Sequence, residues 1–189
     1  FLLFLLFTSS TEKKPETFAV ATRHHIASDI GMGVLEAGGN AVDAAVAVAF
    51  ALSVVNPSAG NLGGGGFMLI HLAEREETIA LDYRERAPKK SSQDMFLNAE
   101  GNVIKGLSLN STLSSGIPGT VAGLFYAIEN FGSFEVESLI KPSIKLAREG
   151  FVLSNFQSKN INKYKKSFFR IKTQKKYLLD RKVLKKMIY

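Results

Sequence analysis

Apolar side chains recur at helical spacing in several parts of the chain. Ile26, Ile30 and Val34 stand four residues apart, which predicts a helix over residues 25–37. The next segment, residues 41–55, is apolar on nearly every side. A helix of this kind is buried in a core or in a membrane. About fifteen residues are few for a membrane span, so we predict a core helix. Further helices are predicted over residues 118–130 and 134–151.

Glycine and asparagine mark the junction between the first two predicted helices. Gly38 and Gly39 follow the last apolar position of the first helix, where a left-handed residue commonly ends a helix. Asn40 directly precedes the second helix, and its side chain is a favoured N-cap. The sequence therefore predicts a short connection between the two helices.

Two short apolar runs predict a β-hairpin. Residues 66–72 and 78–85 read as strands, and the charged run AEREE at 73–77 reads as the turn between them. A further β-prone run lies at residues 17–22. Helices together with a hairpin indicate a chain of the α/β (α+β) class.

Four consecutive glycines, Gly63–Gly66, precede the first predicted strand. A phosphate-binding loop needs a Lys and a following helix, and a dinucleotide fingerprint also opens a helix. Here a strand-like run follows and no Lys does, so nucleotide binding is not expected. Glycine is favoured where another backbone or a ligand comes close. Two interpretations stay open, a purely structural turn and the floor of a loop beside a substrate pocket.

Charge is distributed unevenly along the 189 residues. The net charge is +7 and 46% of the residues are hydrophobic, which permits a folded core. Residues 158–189 hold twelve of the 24 Lys and Arg residues and one of the 17 acids, so this segment carries +11 and the remainder −4. The chain has no cysteine, which excludes disulfides, thiolate metal sites and a cysteine nucleophile within it.

The first ten residues, FLLFLLFTSS, resemble the apolar core of a secretory signal peptide followed by small residues. Since neither Met nor a basic segment precedes them, we expect an incomplete start. The alternative is a buried apolar strand. Residues 11–18, TEKKPETF, are polar and contain Pro15, which is typical of a linker. A secretory start favours a periplasmic or secreted protein.

Several charged residues are candidates for chemistry. Arg84 follows the second predicted strand, where an ion pair with Asp82 or Glu85 is the ordinary alternative to a binding role. Asp43 falls inside the core helix and is interpreted as a hydrogen-bonded core carboxylate. The histidines lack the spacing of metal ligands, so no metal site is predicted; they are His24, His25 and His71.

Three separate motifs resemble the gamma-glutamyltranspeptidases (glutathione hydrolases). They are EAGGNAVDAAVAVAFALSVVNPSAGNLGGGGFMLI, ALDYRERAP and SGIPGTVAGL, in that order, and the resemblance covers residues 19–153. It implies an N-terminal-nucleophile hydrolase with an αββα sandwich, made as a precursor that cuts itself into a large and a small subunit. It implies that the Thr at the new N-terminus of the small subunit attacks the γ-carbonyl of glutathione or another γ-glutamyl compound. The γ-glutamyl group then passes to water, an amino acid or a peptide, without a cofactor.

The resemblance assigns one residue here a role in substrate binding. Arg84 matches the arginine that grips the α-carboxylate of the γ-glutamyl group, whereas Arg86 receives no role. No Thr in the chain stands in a Thr-Thr-His-type run, so no catalytic residue is expected in this chain, which looks truncated and inactive alone. Residues 11–157 correspond to the N-terminal part of the large subunit. The small subunit of the same precursor is the expected partner.

The basic tail at residues 158–189 does not resemble the family. It is interpreted as a solvated amphipathic helix, or as translation beyond a frameshift. Two other functions stay open, a non-catalytic binder of γ-glutamyl compounds that uses Arg84, and a polyanion binder that uses the tail. Aromatic residues among the tail's charges are typical of single-strand binders, but a secretory start argues against a nucleic-acid partner.

Overall fold

The computed structural model describes residues 18–60 and 62–168, so the apolar start at 1–10 and the end of the basic tail lie outside it. Helices combine with one small antiparallel sheet, which confirms the predicted α+β class. The elements are α1 (His25–Glu36), α2 (Ala41–Val55), β1 (Phe67–Leu72), β2 (Glu77–Asp82), α3 (Leu107–Asn110), α4 (Thr120–Phe131), α5 (Val136–Glu149) and α6 (Asn155–Phe168).

The junction between α1 and α2 forms as its sequence predicts. Gly38 adopts a left-handed φ of +94°, and the N–H of Gly39 donates to the Val34 carbonyl at 3.0 Å, which closes a Schellman motif. Asn40 then caps α2, since its side chain accepts N–H groups of the first turn. The Asp43 carboxylate accepts the Asn40 N–H at 2.8 Å, which completes a capping box.

Helix α2 is the centre of the core, as its all-round apolar sequence predicts. Helices α1, α4 and α5 pack around it, and the core face of the hairpin contacts the same cluster through Ile70. The largest fully buried apolar side chains are Leu124, Leu139, Val46 and Val55. Small Ala residues along α2 allow these neighbours to approach closely.

Strands β1 and β2 form the predicted hairpin. The antiparallel register pairs Phe67 with Asp82 and Leu72 with Glu77. A short 3-10 turn and a left-handed residue, Glu76, connect the strands. Side chains alternate between two faces along β1, so that Ile70 faces the core while Phe67 and Leu69 are 64% and 76% exposed. In the described part of the chain, the outward face of the hairpin therefore exposes two large apolar side chains beside Ala80 and polar residues.

The structure corrects two of the predicted strands. Residues 18–22 of the β-prone run form no strand, because a strand needs a partner ladder and none of the described segments provides one there. Strand β2 ends at Asp82 and not at residue 85, because the Asp82 carboxylate accepts the Arg84 N–H at 3.0 Å and turns the chain. Residues 107–114 form α3 and a 3-10 turn.

The basic tail begins as a helix. Helix α6 includes its first residues, through Phe168, in agreement with the helical interpretation, and Gln157 anchors it by donating to the Val55 carbonyl at 2.6 Å. Within residues 18–60 and 62–168, none of the helices has the length and apolar character needed to cross a bilayer.

Candidate functional site

The three motifs noted in the sequence meet in space at the turn after β2. The carbonyl of Gly64 accepts the N–H groups of Gly119 and Thr120, at 2.9 and 3.0 Å, so the glycine run is bound to the first turn of α4. The N–H of Tyr83 donates to the Gly66 carbonyl at 3.0 Å. The glycine run thus lies between the segment 83–86 and the start of α4.

A second pair of hydrogen bonds fixes the far end of the segment 83–86. Arg86 and Ile117 form an isolated antiparallel bridge, with N–H to carbonyl distances of 3.2 and 2.8 Å. Arg84 therefore lies on a short span whose backbone is held on both sides.

Glycine is required where these backbones approach each other. A Cβ on Gly119 would lie 2.0 Å from the Tyr83 carbonyl oxygen. A Cβ on Gly65 would lie 2.7 Å from the same oxygen and 2.8 Å from the Arg84 Cα. Real Cβ atoms essentially never come within 3.0 Å of such atoms. Of the two interpretations of the glycine run, these contacts support a structural role, since the run packs against the backbone of the segment that carries Arg84.

The Tyr83 ring lies against α4. A Cβ on Gly123 would lie 2.2 Å from the Tyr83 Cγ, and one on Gly66 would lie 3.0 Å from the ring. Burial raises the pKa of the Tyr83 phenol. Sequence reasoning missed this contact, although a signal for it existed: Gly119 and Gly123 stand four residues apart, and such residues share one face of a helix.

Arg84 is exposed at the turn. Its backbone N–H donates to the Asp82 carboxylate, and within the described residues neither Asp82 nor Glu85 forms an ion pair with its guanidinium. An unpaired guanidinium has the planar donor geometry that binds a carboxylate with two parallel hydrogen bonds. The substrate role of Arg84 stays a prediction.

Asp43 is a fully buried carboxylate, as predicted. Burial by itself raises its pKa, but hydrogen bonds outweigh burial and hold the pKa of Asp43 below its ordinary value. The donors are the Ser133 hydroxyl at 2.6 Å and the backbone N–H groups of Asn40, Ser133 and Phe134 at 2.8, 2.9 and 3.1 Å. Asp43 thereby links the start of α2 to the turn after α4.

The histidines lie at separate places and are not part of the Arg84 site. His24 and His25 stack with ring centroids 4.9 Å apart, and burial, followed by the charge of His25, lowers the pKa of His24. His71 lies 3.0 Å from the Thr78 hydroxyl. Within the described residues, no group of three His, Cys, Asp or Glu side chains is placed to hold a metal ion.

An open cleft of about 480 Å³ lies beside β1, between the start of α2 and the end of α4. Arg84 is not among its lining residues. Because Arg84 does not line the cleft, we place the candidate site at the turn where the three motifs meet.

Comparison with known families gives a match over most of the chain. The model of the gamma-glutamyltranspeptidase family matches residues 27–187, a range that includes most of the basic segment. The glutathione hydrolase proenzyme of Pseudomonas sp. (strain A14) is 54% identical over 138 residues, which are 73% of this chain and 24% of that protein. The proenzyme of Escherichia coli (strain K12) is 47% identical over 145 residues, 77% of this chain and 25% of that protein.

Solved structures agree with the sequence matches. The gamma-glutamyltranspeptidase of Helicobacter pylori superimposes with a TM-score of 0.82 at 46% identity, covering 87% of this chain and 47% of that chain. The N-terminal-nucleophile hydrolase fold expected from the sequence is therefore confirmed. The 189 residues span about a quarter of the length of the curated relatives that they match.

Proposed function

The chain belongs to the gamma-glutamyltranspeptidase family, and on that basis we propose that the protein cleaves the γ-glutamyl bond of glutathione and similar compounds. The γ-glutamyl group passes to water, to an amino acid or to a peptide. One observation carries the assignment of a substrate site to this chain: the turn where three family-like motifs converge presents an exposed Arg84, whose guanidinium forms no ion pair among the residues that the structure describes.

Arg84 is assigned to the α-carboxylate of the γ-glutamyl group. The guanidinium is planar and always charged, and two parallel N–H donors match the two oxygens of a carboxylate. Because the backbone on both sides of Arg84 is hydrogen-bonded, the side chain starts from a fixed Cα position. A fixed starting point reduces the entropy lost when the carboxylate is bound.

The nucleophile is proposed to come from the small subunit. A Thr hydroxyl is a weak nucleophile unless a base lies beside it, and the free α-amine of an N-terminal Thr can serve as that base. The hydroxyl adds to the γ-carbonyl, its proton passes to the amine, and the amide nitrogen of the donor leaves protonated. Among the eight Thr residues of this chain, none lies in a Thr-Thr-His run. These 189 residues thus supply substrate recognition and not the attacking group.

The uncovered face of the hairpin supports a subunit partner. Phe67 and Leu69 are largely exposed on the side of β1 that faces away from the core. An apolar surface of this kind is characteristic of an interface or a missing layer. We assign it to the remainder of the precursor, including the small subunit, since the matched relatives are described as proenzymes.

A periplasmic or secreted location is part of the proposal. It rests on the apolar run at residues 1–7 and the small residues after it. Fractionation of cells that produce the full-length protein should place it outside the cytoplasm, and recovery from the cytoplasm alone would contradict the assignment.

The alternative function is a non-catalytic binder of γ-glutamyl compounds. It is favoured by the exposed Arg84, because a guanidinium can bind a carboxylate without any catalytic group. A binder retains glutathione without turning it over, so binding and turnover measurements separate the two functions.

The proposal is tested by hydrolysis of L-γ-glutamyl-p-nitroanilide in the full-length protein. We expect turnover, and we expect Arg84→Ala to raise KM strongly, since truncating a buried or bidentate charge contact costs about 2–5 kcal/mol. Arg148→Ala is the matched control, because Arg148 lies on α5, in a separate element from the site. Glutathione binding without turnover would establish the binder instead. Neither binding nor turnover would refute both functions.

A further inference from the structure

Tyr83 lies between the end of β2 and Arg84, and its ring and backbone pack against glycines of other segments. Its ring lies against Gly123 of α4 and Gly66 of the glycine run, where added Cβ atoms would lie 2.2 and 3.0 Å from ring atoms. The glycine run and α4, which are far apart in the sequence, therefore each place a glycine where the Tyr83 ring packs.

The backbone of Tyr83 is fixed as closely as its ring. Its N–H donates to the Gly66 carbonyl at 3.0 Å, and its own carbonyl lies where a Cβ on Gly119 or Gly65 would fall. The Tyr83 backbone is therefore hydrogen-bonded at its N–H and packed against Gly65 and Gly119 at its carbonyl. Since Arg84 follows without an intervening residue, the direction of its side chain depends on how Tyr83 is seated.

Gly116 packs in the same way against Glu85, the residue after Arg84. A Cβ there would lie 2.9 Å from the Cβ of Glu85. The neighbours of Arg84 on both sides are thus packed against glycine, while Arg84 itself is exposed.

From these contacts we propose that Tyr83 is a positioning residue for substrate recognition, acting through Arg84. The Tyr83 ring, seated against Gly66 and Gly123, and the Tyr83 carbonyl, packed against Gly119, hold the Arg84 guanidinium at the α-carboxylate of the γ-glutamyl donor. The inference rests on the proposed function of Arg84. Packing of the ring carries this role, and the phenol hydroxyl is dispensable for it.

The test compares two donors in the full-length protein. L-γ-Glutamyl-p-nitroanilide carries the α-carboxylate, and 4-aminobutyryl-p-nitroanilide is the same donor without it. The ratio of their kcat/KM values measures recognition of the carboxylate. Loss of folded protein lowers both values equally and leaves the ratio unchanged, so a merely structural role does not move this readout.

Tyr83→Leu is expected to lower the ratio by on the order of tenfold, because misplacement of a binding group by about 1 Å is costly. Tyr83→Phe keeps the ring and should leave the ratio within about twofold of the original. Tyr126→Leu is the matched control, since Tyr126 lies on α4 at 49% exposure and should leave the ratio unchanged.

Gly66→Ala provides a second variant if Tyr83→Leu does not fold. Its Cβ would lie 3.0–3.2 Å from the Tyr83 ring, which displaces the ring by a few tenths of an ångström without filling its place. The ratio should fall here as well.

Arg84→Ala separates failure of the inference from failure of the proposed function. If Arg84→Ala lowers the ratio while Tyr83→Leu and Gly66→Ala do not, Tyr83 has only a structural role and the inference is overturned. If Arg84→Ala leaves the ratio unchanged, the proposed role of Arg84 is wrong, and the role of Tyr83 falls with it.

Discussion

Replacing Asp43 by Asn should destabilise the fold strongly, although the two side chains have nearly the same shape. The carboxylate has both oxygens occupied: Oδ1 accepts the N–H groups of Ser133 and Phe134, and Oδ2 accepts the N–H of Asn40 and the hydroxyl of Ser133. An amide offers one oxygen, so its NH₂ group must face a donor. The backbone N–H on that side then loses its acceptor inside the protein.

The expected magnitude follows from these contacts. A buried N–H left without an acceptor costs about 1–3 kcal/mol, and hydrogen bonds to a charged acceptor are worth about 1.5–3 kcal/mol each against about 1 for neutral ones. Together these effects predict that Asp43→Asn lowers the free energy of unfolding by about 3 kcal/mol. Asp43→Ala removes the acceptor of three backbone N–H groups and should cost about 4 kcal/mol or more. Ser133→Ala removes a single donor and should cost about 1–2 kcal/mol.

Urea denaturation followed by circular dichroism measures these differences in the free energy of unfolding. Asp29→Asn is the matched control, because Asp29 is exposed on α1 and the change should stay within about 0.5 kcal/mol. A value for Asp43→Asn as small as that of the control would refute the hydrogen-bonding account. So would an order in which Ser133→Ala costs more than Asp43→Ala.

The lowered pKa of Asp43 predicts that the difference in stability between the original protein and Asp43→Asn depends on pH. Because hydrogen bonds hold the pKa of Asp43 below its ordinary value of 3.8, its contribution to stability is present above pH 3.8. The contribution is lost as the pH falls through the lower pKa of the folded state. The difference in stability between the original protein and Asp43→Asn should therefore narrow below pH 3.8, and a constant difference would contradict the assignment.

Three further predictions concern other elements. Gly123→Ala should destabilise the protein by more than about 2 kcal/mol, because its Cβ would collide with Tyr83. Gly33→Ala is the control in α1, where the added Cβ meets open space and should stabilise the protein by up to about 1 kcal/mol. Thermal unfolding compares the two variants, and equal shifts of the midpoint would refute the contact between Gly123 and Tyr83. Burial lowers the pKa of His24, so stability should decrease as the pH falls below 6.5, and His24→Gln should remove this decrease in urea titrations at several pH values. Asn40→Ala should cost about 1 kcal/mol in the same assay through loss of the α2 cap, and no loss would contradict the capping role.

Local features of the fold could be predicted because a few neighbouring residues determine them. Gly38 and Asn40 specified the α1–α2 junction, and the alternating apolar residues of β1 specified the hairpin. The prediction of a β-prone run at 18–22 was wrong because a strand depends on a partner elsewhere in the chain, and neighbouring residues do not determine that partner. The end of β2 at Asp82 was missed, although an Asp whose carboxylate accepts the N–H of the second residue after it is a recognised turn signal.

Contacts between distant segments could not be predicted from patterns. Asp43 was recognised as a hydrogen-bonded carboxylate, but its donors lie 90 and 91 residues away in Ser133 and Phe134. Similarly, the spacing of Gly119 and Gly123 indicates a shared face at the start of α4, but it does not identify Tyr83 as the residue that packs there. The resemblance of three motifs to one family identified Arg84, and only the structure showed why those motifs belong together: they form one turn.

A crystal structure of the full-length protein with bound L-glutamate tests the central claim most directly. The account predicts two parallel hydrogen bonds, at about 2.7–2.9 Å, between the Arg84 guanidinium and the α-carboxylate. Tyr83 should remain seated against Gly123 in that complex. Glutamate held by other groups, with the Arg84 guanidinium turned to solvent, would contradict the account.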